Sequence, residues 1–211
     1  MWWYNCKIKN IKEVCVVVLT DKRIRELAKN EQLIAPFNEK NLQSESYDVT
    51  IGNKITVMSK EIHCIDIAKQ ETIDGIYKDI DISEKGYIIS PGEYIMITLK
   101  ETIKLPNNLT AHLRPKTRYT RLGLIVSDQH CNSTYSGYLQ VGLFNATNYP
   151  IMIHSGYTIA QLVFEELEDI PSTEKLYENR KDAHYQNEDG TFIGAKFDDE
   201  LLDSIWDKIL K

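Results

Sequence analysis

What this sequence lacks narrows it first. In 211 residues no apolar run approaches the ~20 that a membrane-spanning helix needs, so no membrane association is expected. It has no excess of cations: 25 Lys and Arg stand against 31 Asp and Glu, a net charge of -6. A sequence-nonspecific nucleic-acid binder needs cations facing phosphates, so direct nucleic-acid binding is not expected, although a few local cations can still hold a small anion. The four cysteines, Cys6, Cys15, Cys64 and Cys131, include no CxxC pair. That spacing removes metal-finger and disulfide-framework readings and leaves reduced thiols in a cytoplasmic protein. No GxGxxG, Walker loop, HExxH or GxSxG occurs. The histidines, His63, His112, His130, His154 and His184, have no ligand-like i, i+4 spacing. The PCxxC unit of zinc deaminases is missing too, so no metal held by protein side chains, and no zinc, is expected.

What is there reads as one β-rich core with additions at both ends. The opening segment could be mistaken for a signal peptide, but its apolar part, Val14 to Leu19, is too short and no small-residue cleavage site follows. Its valines suit a strand. Thr20 is placed to cap a helix with Asp21 in its first turn and Ile24, Leu27 and Ala28 on one face. Pro36 forbids that helix from passing Ala35. From Ser46 to Glu166, β-rich runs of about five to ten residues alternate with Gly, Pro and Asn, a spacing that argues for an all-β sandwich or barrel. Ile62 to Ser90 is richer in Asp and Lys and reads as an excursion from the sheet. After Pro171 the composition alone predicts a flexible surface arm. The last residues regain helical spacing at Leu202, Ile205, Trp206 and Ile209. These boundaries give an N-terminal extension over 1–18, a β domain over 19–170, and an arm with a terminal helix over 171–211.

The densest cationic cluster lies in HLRPKTRYTRLGL. On an extended strand, residues two apart share a face, so Arg114, Lys116 and Arg118 are expected to project together with Thr117 among them. Such a cluster suits a polyphosphate, since Arg offers forked donors and Lys a point charge. A solvated edge strand carrying charges against aggregation is the alternative.

The segments LTDKRIRELAKNEQLIAPFN and SYDVTIGNKI resemble the opening helix and first core strand of dCTP deaminases. SPGEYIMITLKETIKLPNNLTAHLRPKTRYTRLGL is similar to that family's proline-glycine turn, leucine-proline loop and phosphate-binding strand. YSGYLQVGLFN and HSGYTIAQLVFEEL resemble its pyrimidine-pocket and closing strands, and KLYENRKDAHYQNEDGTF its C-terminal arm. The match runs in the family's order from about Leu19 to about Phe192. The chain is therefore identified as a member of the dCTP deaminase family within the dUTPase-like superfamily.

The resemblance implies a mainly β, distorted jelly roll or β-clip with a short N-terminal helix, assembled as a homotrimer with sites between subunits. It implies a dCTP-, dUTP- or dTTP-type ligand, with Mg²⁺ accompanying the triphosphate. Where the family carries Arg-Ser-Ser and a later Arg, this chain has Lys116, Thr117, Arg118 and Arg121, implied triphosphate contacts. Tyr177, His184, Tyr185 and Gln186 of the arm are implied to close over the phosphates. Asn132, Tyr135 and Gly142 fall at the pyrimidine and sugar pocket, and Thr117, Arg121 and Asn132 are the implied catalytic candidates. Gly142 stands where the family has the glutamate that activates water, and glycine cannot act as a general base. Asn132 stands where dUTPases hold their water with an aspartate, and an amide cannot take that water's proton. The nearest acids in sequence are Asp128 and Glu165. Deamination of dCTP, a catalytically inactive nucleotide-binding or scaffold relative, and a dUTPase-type pyrophosphatase therefore all stand as readings. Trp2, Trp3 and Trp206 lie in the additions, as candidates for extra packing or partner contact.

Overall fold

The computed structural model describes residues 17–59 and 64–197. The expected terminal helix, Trp2, Trp3 and Trp206, and Val14 to Val16 of the first expected strand lie outside them. Strands run over Val17–Val18 (β1), Ile34–Ala35 (β2), Tyr47–Met58 (β3), Tyr77–Asp81 (β4), Tyr87–Ile89 (β5) and Tyr94–Lys104 (β6). They continue over Leu109–Pro115 (β7), Leu124–Val126 (β8), Gln129–Cys131 (β9), Ser136–Asn145 (β10), Ile151–Ile153 (β11) and Thr158–Glu166 (β12). The helices are Asp21–Asn30 (α1) and Thr117–Leu122 (α2).

The backbone of the fold is a ladder in the order β8-β10-β6-β3-β12-β7-β9, with β1, β2 and β4 attached to β12, β6 and β3. All these pairings are antiparallel, as is the separate β5–β11 pair. The long strand β3 serves both halves of the sheet. Its first residues pair with β12, its last with β4, and its register against β6 shifts between Ile51 and Ile55. Gly52 lies in that break, where a Cβ would come within 2.7 Å of the Thr98 carbonyl oxygen, so a side chain is excluded by close backbone approach. The core is built from the inward residues of these strands, with Tyr47, Phe164, Ile55 and Ile97 fully buried.

Helix α1 buries Ile24, Leu27 and Ala28, as the spacing predicted. It starts after Thr20, whose backbone is in the cap conformation but whose side chain makes no capping bond. It also stops earlier than the proline required. Gln32 takes a positive φ of 57°, and Ile34–Ala35 then pair with β6 as β2.

Three expectations need correction. The stretch Ile62 to Ser90 is not simply an excursion. Its described part supplies β4, which pairs with β3, and β5, which pairs with β11. β4 is polar because it is an edge strand with much of its surface solvated. The cationic segment is not one strand, because β7 ends at Pro115 and α2 begins at Thr117, closed by Gly123 at φ 87°. The stretch after Pro171 is not merely a loose surface arm. Leu176 and Tyr177 are buried, and residues 186–188 bond along the start of β10.

Two buried polar links tie β3 to its neighbours. Glu101 on β6 is 3% exposed and accepts from the Thr50 N–H at 2.8 Å and the Thr50 hydroxyl at 2.7 Å. Lys116, just past β7, ion-pairs with Asp48 on β3, with both side chains mostly buried. Phe164→Ala should destabilise the fold by about 3–5 kcal/mol, read as a lower urea midpoint with an unchanged m-value. Lys116→Ala should cost about 3–5 kcal/mol by stranding the Asp48 carboxylate, and adding Asp48→Asn should recover part of that loss in the same measurement.

Candidate functional site

A cavity of about 510 Å³ opens between β6, β9, β10 and the C-terminal arm. β9 and the turn after it contribute Gln129, His130, Cys131 and Asn132, and β10 with its approach contributes Tyr135, Leu139 and Gln140. β6 adds Tyr94 and Met96. The arm covers it with Tyr177, Tyr185, Glu188 and Phe192. β10 does not alternate simply here: its register against β6 shifts between Tyr138 and Gln140, so the adjacent Leu139 and Gln140 both reach the wall, Gln140 opposite Thr98. The Thr98 hydroxyl donates to Gln140 Oε1 at 2.8 Å. Gln140 Nε2 has no hydrogen-bond partner among the described residues although the side chain is buried. A buried unpaired amide nitrogen is costly, and such groups in a cavity wall suit a ligand acceptor.

The arm is held by main-chain bonds. The Tyr138 N–H donates to the Glu188 carbonyl at 3.0 Å and the Asn187 N–H to the Ser136 carbonyl at 2.7 Å. Gln186 ties both ends of its amide to the same turn: Oε1 accepts from the Ser136 N–H at 3.2 Å, and Nε2 donates to the Thr134 carbonyl at 2.9 Å. Tyr177 packs on Tyr135 with ring centroids 5.9 Å apart. Tyr185 Oη accepts from the Lys196 N–H at 3.2 Å, and the His184 ring meets Tyr185 edge-on at 6.4 Å. Within one chain these four implied phosphate contacts are thus engaged in the arm's own packing.

Of the implied pocket residues, Asn132 and Tyr135 line the cavity and Gly142 does not. Tyr94 stands in the way: a Cβ at Gly142 would lie 2.1 Å from Tyr94 Oη. Tyr94 faces Phe144 across the ladder, so its ring leans diagonally over Gly142. The space a side chain at 142 would enter is therefore filled by a phenol from the neighbouring strand.

The implied phosphate cluster lies elsewhere. Thr117, Arg118 and Arg121 are exposed on α2, and none of them, nor Lys116, lines the cavity. The expected shared face of Arg114, Lys116 and Arg118 is absent, because the chain changes from strand to helix between them. Arg114 reaches Asp128 at 3.5 Å, and Lys116 is bound to Asp48. Among the described residues no group of three or more His, Cys, Asp or Glu is arranged to hold a metal.

Gln140, Tyr94 and Glu188 are among the residues of this site that the sequence did not single out. Tyr94 looked like an ordinary strand aromatic. Glu188 lies four residues beyond His184 in a segment already expected to fold over the ligand, which is the one signal that pointed to it. Its carboxyl oxygen Oε2 accepts from the Tyr135 hydroxyl at 3.2 Å. Burial, with Asp189 beside it, pushes this carboxyl up to about 7 against the pull of the Tyr135 hydroxyl. Burial also raises Tyr135 strongly and pushes the Cys131 thiol to about 12. His130 is lowered by burial and by His112, against a hydrogen bond with Asn132. Burial thus makes Tyr135, Cys131 and Glu188 hold their protons more tightly than they would in water and makes His130 hold its own less tightly.

A family model described as dCTP deaminase-like matches residues 18–167. A protein of Persephonella marina named dCTP deaminase, dUMP-forming is 30% identical over 186 residues, covering 87% of this chain and 99% of its own. One of the same name from Hydrogenobaculum sp. is 34% identical over 158 residues, covering 74% of this chain and 86% of its own. The crystal structure of 2'-deoxycytidine 5'-triphosphate deaminase from Agrobacterium tumefaciens superposes with a TM-score of 0.59 at 20% identity, over 72% of this chain and 48% of that one. That likeness is one of fold. Among the described residues no helix is long and apolar enough to cross a membrane. A family model spanning most of the chain, together with full-length relatives sharing about a third of its residues, shows that this protein belongs to the dCTP deaminase-like family.

Proposed function

We propose that this protein binds a Mg²⁺-bound pyrimidine deoxynucleoside triphosphate, with dCTP as the preferred class, in the cavity under its C-terminal arm. One observation carries the reading: a cavity of about 510 Å³ whose wall sets aromatic rings beside the buried Gln140 amide nitrogen, which has no partner among the described residues, and over which a segment of the same chain is laid. Small-molecule sites are typically apolar clefts of about 300–1,000 Å³ with a few fixed polar groups. The relatives' name points the same way, since it describes deamination of dCTP and formation of dUMP.

The triphosphate part of the reading needs a second chain. Thr117, Arg118 and Arg121 present two cations and a hydroxyl on an exposed helix that takes no part in the cavity wall of its own subunit. In a homotrimer, that helix from one subunit meets the ligand whose base sits in the next. Guanidinium groups suit phosphate oxygens, whereas α2 carries no carboxylate for Mg²⁺, so the ion comes in with the nucleotide.

A binding protein without turnover is the second reading. The observation favouring it is Tyr94, whose hydroxyl fills the space beside Gly142.

Calorimetry on the full chain with dCTP, dUTP and dTTP in Mg²⁺ should show saturable binding of dCTP below millimolar concentration, and sedimentation should give three chains per particle. No heat with any of them at millimolar concentration rejects the reading. Arm closure should also depend on pH. A carboxyl raised to about 7 in the fold favours the docked arm fully below its unfolded value near 4.5, and that contribution is lost as pH climbs through about 7. Amides of residues 183–188, corrected for intrinsic exchange, should therefore exchange faster at pH 8 than at pH 6, and Glu188→Gln should remove the difference.

A further inference from the structure

Hydrolytic deamination needs a group that hands a proton to the ring and takes one from water. Neither place where the family resemblance puts a carboxylate has one, since those positions hold Gly142 and Asn132. The other acids near this part of the fold are committed. Asp128 is exposed and pairs with Arg114, and Glu165 faces His112 at 3.9 Å. Glu101 uses both oxygens on Thr50, and Glu93 accepts from the Tyr87 hydroxyl at 2.6 Å and the Ser90 N–H at 2.7 Å. Glu188 is the one carboxyl in the cavity wall among the described residues.

We propose that Glu188, carried in by the C-terminal arm, is the acid–base residue of this cavity and exchanges protons with a cytosine-type ring as water adds at C4. This rests on the nucleotide-binding reading above. The arm's backbone fixes the residue by its bond from Tyr138, so the side chain is presented from a strand-like position. Its contact with Tyr135 works in either protonation state. The single phenolic proton lies within reach of the Tyr138 carbonyl at 2.9 Å and of Glu188 at 3.2 Å. When that proton serves the carbonyl, the Glu188 carboxyl supplies its own proton to the phenol oxygen. When Glu188 is ionised, the phenol turns to it.

The neutral carboxyl gives its proton to N3 while a water oxygen bonds to C4 and the C4–N3 π pair moves onto N3. The carboxylate so formed takes a proton from the added water and passes it to the 4-amino group. The C4–N bond then breaks and ammonia leaves as the remaining hydroxyl proton at C4 returns to the Glu188 carboxylate and the C4 carbonyl forms, so dCTP and water become dUTP and ammonia and the neutral carboxyl is restored.

The surroundings suit a carboxyl used as an acid near neutrality. The titratable groups facing it are Tyr135, Cys131 and His130 from the β9–β10 side and Tyr177, Tyr185 and Asp189 from the arm. Burial raises Glu188, and the Asp189 charge beside it raises it further. A general acid works best when its pKa lies near the working pH, and burial has brought this one to about 7.

The test is turnover of Mg²⁺-dCTP by the full chain, followed as ammonia release and uracil nucleotide on chromatography, beside dCTP calorimetry. The wild type should turn over, with kcat falling as pH rises through about 7. Glu188→Gln should lower kcat by about 10²–10⁴ and flatten the pH profile, with dCTP affinity kept, and Glu188→Asp should retain part of the rate. Turnover by Glu188→Gln at the wild-type rate, or binding of dCTP by the wild type with no ammonia released between pH 5 and pH 9, overturns the role of Glu188 and leaves the binding reading standing. Failure of the wild type to bind dCTP overturns both.

Discussion

A polar group enclosed by apolar strands has to be paired or neutralised, and this requirement shapes the molecule around its cavity. Glu101 is held on β6 by two bonds from Thr50, which fix β3 against β6 just before the break at Gly52. Lys116 and Asp48 neutralise each other where β7 leaves the sheet, one residue before α2 begins. Among the described residues pairing is incomplete at Asp48 Oδ1 and at Gln140 Nε2, and Gln140 stands in the cavity wall. Where an acid has no cation beside it, at Glu188, the proton is retained to unusually high pH.

The same requirement separates two sets of residues that the resemblance groups into one site. Lys116 is a phosphate candidate by sequence, but its charge is already answered inside the fold. The cations left exposed are those of α2, and they stand apart from the cavity of their own chain. The arm residues Tyr177 and Gln186 are likewise spent on Tyr135 and on the turn at Thr134 and Ser136. What the arm brings to the cavity is aromatic surface and one acid.

Tyr94 ties position 142 to the neighbouring strand. With no Cβ at Gly142, the cross-strand tyrosine occupies that volume and lines the cavity. A glutamate placed at 142 meets that ring before it meets any ligand, so activity at that position is coupled to the residue across the ladder. The wall keeps its polar groups at Asn132, Tyr135 and Glu188.

The sequence by itself determined the class of fold, the helix face of Ile24, Leu27 and Ala28, most strand positions, and the membership that the family model shows. Those follow from local periodicity, turn residues and an ordered series of segments, all of which are properties of neighbours along the chain. It also marked Asn132 and Tyr135 as wall residues. It misjudged the cationic segment because Pro115 ends the strand between Arg114 and Lys116, and it could not see that Lys116 meets Asp48, 68 residues away. The filling of the Gly142 space by Tyr94, the docking of the arm and the raised pKa of Glu188 were decided only by tertiary structure. Burial and cross-strand contact depend on which distant segments share a cavity, and no spacing within a segment encodes that.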